Sequence, residues 1–373
     1  MTLAAAERLD DVALLETADP SSMLRQVASA AAQVREAARS AAEAGLDALA
    51  AGGRPRAIVV TGMGGSGIAG EVLAAVAGPG CPVQVTTVHD YRLPGWVGAA
   101  DLVIAVSCSG ATEETLSAAE EAVRRGCRLL GVGGQGSPLA LLAEQASAPF
   151  IVVKPSGMPR SMLWGLSVPL VVAAARLGVL DMPDEAYESA AAELERVAHL
   201  CRPDSETFVN PAKTLALDLS GTLPMIWGTS PLTGVAAARF ACQLHENGKY
   251  PAMAGVLPEA NHNQVVTFDG PFVAGPQAAD LVPAEAPPVP LRLVLLRDTH
   301  EHPQVARRRE ESARIAEDRG IEVIELAASG ELPLERLASL VTLIDYASVY
   351  LAIANGIDPA PIVAIQELKA RIA

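Results

Sequence analysis

Aromatic side chains make up only 3% of the 373 residues, although half of the chain is apolar. The core must therefore be built from Ala, Val, Leu and Ile. Positive charge is also short. The formal net charge is −15, which excludes a general nucleic-acid binder, because such proteins present a basic face to the phosphate backbone. It argues equally against an anionic membrane surface. The five cysteines are odd in number and form no C-x-x-C pair. They read as neither a disulfide framework nor a zinc site, so reduced thiols in a cytoplasm are the plain expectation. Residues 1–10 lack both a basic start and an apolar stretch, so no secretory leader is expected there. No apolar run is long and uninterrupted enough to be read as a membrane span. Lysine is scarce: Lys154, Lys213, Lys249 and Lys369 stand among 24 arginines. A lysine retained in such a chain is either a functional amine or an accident of composition.

Short β-branched runs alternate with helical periods along the chain. Residues 56–61, RAIVVT, read as a strand that runs into Gly62-Met-Gly-Gly-Ser-Gly67 and a helix over 68–76. Strands follow at 83–88, 102–107, 129–133 and 149–153, with helices at 113–125 and 138–145. The pattern recurs after residue 200. A strand at 224–227 enters a Gly228 to Gly234 turn and a helix over 235–245. Strands at 291–297 and 321–326 flank a helix over 302–319. The chain closes with helices over 334–354, with room for a break, and over 361–372. Such alternation predicts an α/β protein with parallel sheets covered on both faces. Gly62 and Gly228 occupy equivalent turns, which predicts two similar lobes. The expected division is an N-terminal helical segment over 1–51, one or two helices from Met23 to Ala51, a first lobe over 52–200 and a second over 201–373. The Pro- and Ala-rich stretch 271–290 reads as a surface loop.

Two segments carry chemistry. Ser107-Cys-Ser-Gly-Ala-Thr-Glu-Glu-Thr115 puts four hydroxyls in nine residues at a strand-to-helix turn. Free amides and the positive end of the helix dipole suit a phosphate there. Ordinary N-capping by Ser109 or Thr112 accounts for one hydroxyl and leaves the others unexplained. His245-Glu-Asn-Gly-Lys249, continued by Asn261-His262-Asn263, brings a carboxylate, a lysine and a histidine close in sequence. Glu246 and His262 form an acid/base candidate. The bland alternative is a Glu246–Lys249 surface pair and a turn histidine. Arg160, after Pro159 on a strand-end loop, suits a phosphate or a developing oxyanion, or is an ordinary surface arginine. The glycines of Gly62 to Gly70 allow close approach of a ligand or a helix. No set of His, Cys and carboxylates has metal-ligand spacing.

In this order, these segments resemble the bifunctional phosphoglucose/phosphomannose isomerases of the sugar isomerase (SIS) superfamily. Gly62-Met-Gly-Gly-Ser66, Asp90-Tyr-Arg-Leu-Pro94, the Ser107 to Thr115 turn, Pro159-Arg160 and Glu246-Asn-x-Lys249 carry the resemblance. Pro258-Glu-x-Asn-His-Asn263, Arg297-Asp with Glu301-His-Pro303, and Glu367-Leu-Lys369 continue it. The resemblance implies two SIS-type lobes, each a mainly parallel sheet between helices, and a cytoplasmic homodimer with its site near the interface. It implies a hexose 6-phosphate substrate and no metal or cofactor. By resemblance, Glu246 is the base on the C1–C2 unit, and His262 assists ring opening, in one arrangement from the other subunit. Arg160 stabilises the enediolate and Lys369 completes the site. Ser107, Ser109 and Thr112 hold the phosphate, with the small residues Gly64, Gly65 and Ser66 facing the ligand. The family signature reads S-Y-S-G-N-T, and here Cys108 and Ala111 replace its aromatic and amide residues. That leaves two alternatives open: a sugar-phosphate-binding regulator, or an isomerase of another sugar phosphate.

Overall fold

The computed structural model describes residues 3–273 and 289–372. Most of the 271–290 stretch lies outside the described residues. The elements begin with helices α1 (Leu3–Asp10), α2 (Val12–Ala18), α3 (Met23–Ala28), α4 (Ala30–Glu43) and α5 (Asp47–Ala51). They continue as β1 (Ala57–Thr61), α6 (Ile68–Ala77), β2 (Gln84–Val88), β3 (Leu102–Ser107), α7 (Glu113–Arg124), β4 (Arg128–Gly133), α8 (Pro138–Gln145) and β5 (Phe150–Val152). Helices α9 (Leu163–Arg176), α10 (Glu185–Leu200) and α11 (Pro211–Leu219) lead to β6 (Leu223–Gly228), α12 (Pro231–Glu246) and β7 (Met253–Val256). The chain ends with β8 (Leu291–Arg297), α13 (Pro303–Asp318), β9 (Glu322–Ala327), α14 (Pro333–Ala354) and α15 (Val363–Ile372).

Two compact bodies result. One comprises Ala28–Glu195 with Leu332–Glu335; the other comprises Met1–Val27, Arg196–Glu331 and Arg336–Ala373. The 1–51 segment is thus shared between them: α4 and α5 go with the first sheet, and α1 and α2 with the second. The boundary at residues 195 and 196 falls inside helix α10.

In the first body a five-stranded sheet has the order β2-β1-β3-β4-β5, parallel throughout. Every residue of β1 and of β3 is buried, as expected of central parallel strands covered on both faces. Helix α7 buries Thr115, Ala118, Ala119 and Ala122, one stripe at helical spacing. Small residues on that stripe let the helix lie close over β3 and β4, where Val103, Ala105 and Leu129 complete the core. The second body has a four-stranded parallel sheet in the order β7-β6-β8-β9. It repeats the first order, with no fifth strand among the described residues.

Three departures from the sequence expectation have local causes. The helical stretch from Met23 divides into three, and Gly45, with φ of 67°, separates α4 from α5. Helix α9 is buried continuously from Leu163 to Ala174, so it shows no amphipathic stripe for periodicity to find. Helix α14 runs unbroken through 22 residues. It is long and apolar enough to cross a membrane, but 94% of its most apolar window is buried inside the protein, as in a core helix.

Candidate active site

The first body gathers three loops at the carboxyl ends of its strands, the usual place for a ligand in an open α/β sheet. At the end of β3, Ser107 Oγ lies 2.9 Å from Thr112 Oγ1 and 3.5 Å from Ser109 Oγ. Ser109 Oγ accepts the Ala111 N–H at 3.2 Å. Gly110, with φ of 66°, makes the reversal that lets these hydroxyls converge. Thr112 stands at the N-cap of α7 but makes no side-chain cap hydrogen bond. Its hydroxyl is turned to Ser107 instead. Capping therefore does not explain the cluster, and the first-turn amides of α7 have no side-chain cap from that residue. The fourth hydroxyl, Thr115, belongs elsewhere: it is fully buried on the inner face of α7, and its Oγ1 has no hydrogen-bond partner.

The β1 turn is bound to this one. Ser66 Oγ accepts the Cys108 N–H at 3.1 Å, so Ser66 couples the two turns. Gly65 provides the third junction. A Cβ there would lie 2.9 Å from the Pro159 carbonyl oxygen and 3.4 Å from the Arg160 Cα, so a larger residue would push the Arg160 segment away. Arg160 itself is 3% exposed. It is a buried part of this loop cluster rather than a surface arginine. Gly64, Gly65, Ser66, Ser107, Ser109, Thr112 and Arg160 thus belong to one loop cluster. Burial pushes the Cys108 thiol up from its ordinary pKa, which keeps it neutral.

Two supporting residues escaped the sequence reading. His89, just past β2, has its Nδ1 2.9 Å from the Gly62 carbonyl oxygen. A carbonyl only accepts, so Nδ1 carries the proton. The ring packs where a side chain on Gly67 would have to go. Ser137 caps α8 by accepting the Ala140 N–H and fills the space beside Gly110. Both follow strands, and that position was their only sequence signal.

The remaining candidates lie on the second body and do not form a sequence-adjacent cluster. Glu246 is the last residue of α12. Lys249 donates to the carbonyl oxygens of Glu246 (2.9 Å), Asn247 (3.3 Å), Asp358 (3.2 Å) and Pro359 (2.9 Å). It closes the carboxyl end of the helix, where a cation is favoured. A buried network fixes α12 beside Glu246. Arg239 and Gln243 both bond Asp345 of α14, and Asn247 Nδ2 donates to Ser348 Oγ at 2.9 Å. His262 is exposed at the end of the 3-10 helix Glu259–His262.

The sheet separates Glu246 from His262. A Cβ on Gly228 would meet the backbone of Thr233 and Gly234, and one on Gly234 would meet Val256, so α12 covers the face of Gly228 and Val256. The residues alternating with these turn the other way. Trp227 stacks on Phe268 with centroids 5.5 Å apart, and a Cβ on Gly255 would meet Gln264. The segment that carries His262 therefore covers the opposite face. Lys369 is exposed on α15, a helix with no buried residue. Among the described residues no group of three or more His, Cys, Asp or Glu is placed to hold a metal.

Residues 208–372 match the bacterial phospho-glucose isomerase C-terminal SIS domain. A bifunctional phosphoglucose/phosphomannose isomerase from Caldicellulosiruptor bescii is 34% identical over 318 residues, 85% of this chain and 89% of that protein. Another from Aquifex aeolicus is 31% identical over 315 residues, 84% of this chain and 89% of that protein. Among solved structures, a hypothetical protein from Thermus thermophilus superposes with a TM-score of 0.70 at 17% identity, covering 99% of this chain and 93% of that one. At that identity it shows a shared fold.

Proposed function

The chain belongs to the bifunctional phosphoglucose/phosphomannose isomerase family, and from that premise we propose that it interconverts glucose 6-phosphate and mannose 6-phosphate with fructose 6-phosphate. The observation that carries this reading is the β3 turn, where three hydroxyls converge at an uncapped helix start. That is an anion site by chemistry as well as by place. The 6-phosphate is held there by Ser107, Ser109 and Thr112, with the sugar over Gly64, Gly65 and Ser66.

In the reaction, the Glu246 carboxylate takes the C2 proton of the open-chain aldose. The electron pair forms the C1–C2 double bond of a cis-enediol. The carbonyl oxygen at C1 takes up a proton as the C2 hydroxyl gives one up, and Glu246 returns its proton to C1. Nothing is oxidised or reduced overall. The two aldoses differ only at C2, so both pass through the same enediol. A base of this kind contributes ~10²–10⁴-fold. Arg160 stabilises the enediolate oxygens, and such stabilisation is often the larger share of catalysis. His262 assists ring opening, and Lys369 completes the site.

The working enzyme in this reading is a cytoplasmic homodimer. Glu246 and His262 lie on opposite faces of one sheet, which favours a site that takes its histidine from the second copy. The exposure of Val363 (65%), Leu368 (59%) and Ile372 (73%) on α15 supports a second copy covering the helix that holds Lys369.

A coupled assay with each aldose tests the activity, and each aldose should competitively inhibit turnover of the other. Absence of turnover with both would sink the isomerase reading. Complementation tests the shared site. Glu246→Gln and His262→Ala proteins, each impaired alone, are unfolded and refolded together. Random reassortment makes half of the dimers mixed, each with one whole site, so about a quarter of parental activity should return. No recovery from mixed dimers would place both residues in one subunit's site.

A further inference from the structure

The two sheets share a strand order, and their registers align. Thr61 of β1 pairs with Ala105 of β3, and Gly228 of β6 pairs with Leu296 of β8. Taking Gly62 and Gly228 as equivalent, the residue after β3 is Cys108 and the residue after β8 is Asp298. The hydrogen bonds agree. In the first body a hydroxyl of the neighbouring turn, Ser66 Oγ, accepts the Cys108 N–H at 3.1 Å. In the second, Thr229 Oγ1 accepts the Asp298 N–H at 2.9 Å. The turn assigned to phosphate in the first body thus has a counterpart in the second, beginning at Arg297 and Asp298.

The counterpart already holds an anion. Asp298 is 2% exposed. Its Oδ2 accepts the Ser230 hydroxyl at 2.6 Å, and its Oδ1 accepts the His300 N–H at 3.1 Å and stands 3.0 Å from Arg336 Nε. Ser230 is the N-cap of α12. A hydroxyl at a helix start and a turn amide that donate hydrogen bonds, with a guanidinium as ion-pair partner, are the groups that a phosphate oxygen would seek. Glu301 adds a second carboxylate to the same turn, held by Arg309 at 3.2 Å.

We propose that Asp298 is the resident anion of the second body: its carboxylate fills the strand-end anion site there and so confines the sugar phosphate to the first. Each chain then binds one sugar phosphate although it has two sheets of the same order. The first-body half rests on the phosphate assignment proposed above. The role of Asp298 stands on its own contacts. Its chemistry differs from that of a purely structural aspartate in one respect: what the site requires is a small anion, and a free one can substitute.

The test uses the full-length protein with formate as the probe. Asp298→Ala removes the carboxylate and leaves a space of about its size. The variant should unfold at a lower temperature than the parent. Formate should restore the loss in a saturable way, as a ligand bound to the folded state does. Neutral formamide should not restore it, and formate should shift the parent less than the variant. A formate response equal in parent and variant would overturn the proposal, as would unaltered stability of Asp298→Ala. If the variant does not fold unaided, its refolding yield should depend on added formate, and a yield indifferent to formate overturns the proposal equally. The same titration in an Asp298→Ala/Ser109→Ala/Thr112→Ala protein separates the two bodies. The formate response should persist there, because it belongs to the second. Failure of the first-body assignment would show separately: the phosphate response of the parent would survive Ser109→Ala/Thr112→Ala.

Discussion

Replacing Gly110 by alanine tests the anion turn at its tightest point. The residue has φ of 66°, and the left-handed region costs an L-residue roughly 1–2 kcal/mol. The new Cβ would lie 2.0 Å from Ser137 Oγ and 2.3 Å from Ser137 Cβ, so Ser137 must move. That residue caps α8 through the Ala140 N–H, and losing such a cap costs about 1 kcal/mol. Together the two effects predict a destabilisation of roughly 2–3 kcal/mol, measured by urea unfolding. Because Ser109 and Thr112 flank the strained residue, the KM for a sugar phosphate should rise as well. A second substitution makes the test sharper. Ser137→Gly removes the atoms that the new methyl meets, and glycine at an N-cap costs only a few tenths of a kcal/mol. The Gly110→Ala/Ser137→Gly protein should therefore be more stable than Gly110→Ala alone, although each change separately destabilises. Additive losses, or a Gly110→Ala protein within about 0.5 kcal/mol of the parent, the usual range for an inconsequential surface change, would refute this account of the turn.

Ser109→Ala with Thr112→Ala should raise the KM for hexose 6-phosphates and abolish competition by inorganic phosphate; unaltered inhibition by phosphate would move the anion site elsewhere. Glu246→Gln keeps the shape of the side chain and removes its basicity, so turnover of both aldoses should fall by at least ~10²-fold with little change in substrate binding. Retention of one activity would split the shared site. Asp101, fully buried, has its pKa held below the ordinary 3.8 by hydrogen bonding to Arg56 and then to the Gly98 amide, against the opposing effect of burial. A depressed carboxylate contributes stability that is present above about pH 3.8 and lost as pH falls through the lower folded value. Asp101→Asn should accordingly flatten the acid limb of the stability–pH curve. An identical acid limb in parent and variant would show that the Arg56 pairing is too solvent-exposed to matter.

Much of the architecture was legible from local order. Parallel strands buried on both faces need β-branched runs such as Ala57–Thr61, and the crossover helix after each needs its own period, so alternation implied parallel α/β sheets, and the matching turns at Gly62 and Gly228 implied two lobes. The hydroxyl turn was legible because its parts are contiguous: Ser107, Ser109 and Thr112 need only one reversal, at Gly110, to meet. Elements without contrast were not legible. Helix α9 is apolar on every side, and β7 is a four-residue edge strand. Other features depend on residues distant in sequence. Gly65 could be recognised as small, but only folding places it against the Arg160 segment. Asp298 looked like one acidic residue of a motif until β6 and β8 aligned it with Ser230 and Arg336.

Glu246 and His262 show the limit most clearly. They are 16 positions apart, and sequence proximity together with the family resemblance made them a pair. A helix between two parallel strands must lie on one face of their sheet, and the segment after the second strand folded onto the other. Sequence determined the chemistry that each residue can perform, because that follows from the side chain. Which residues share a site was decided by the sheet that stands between them.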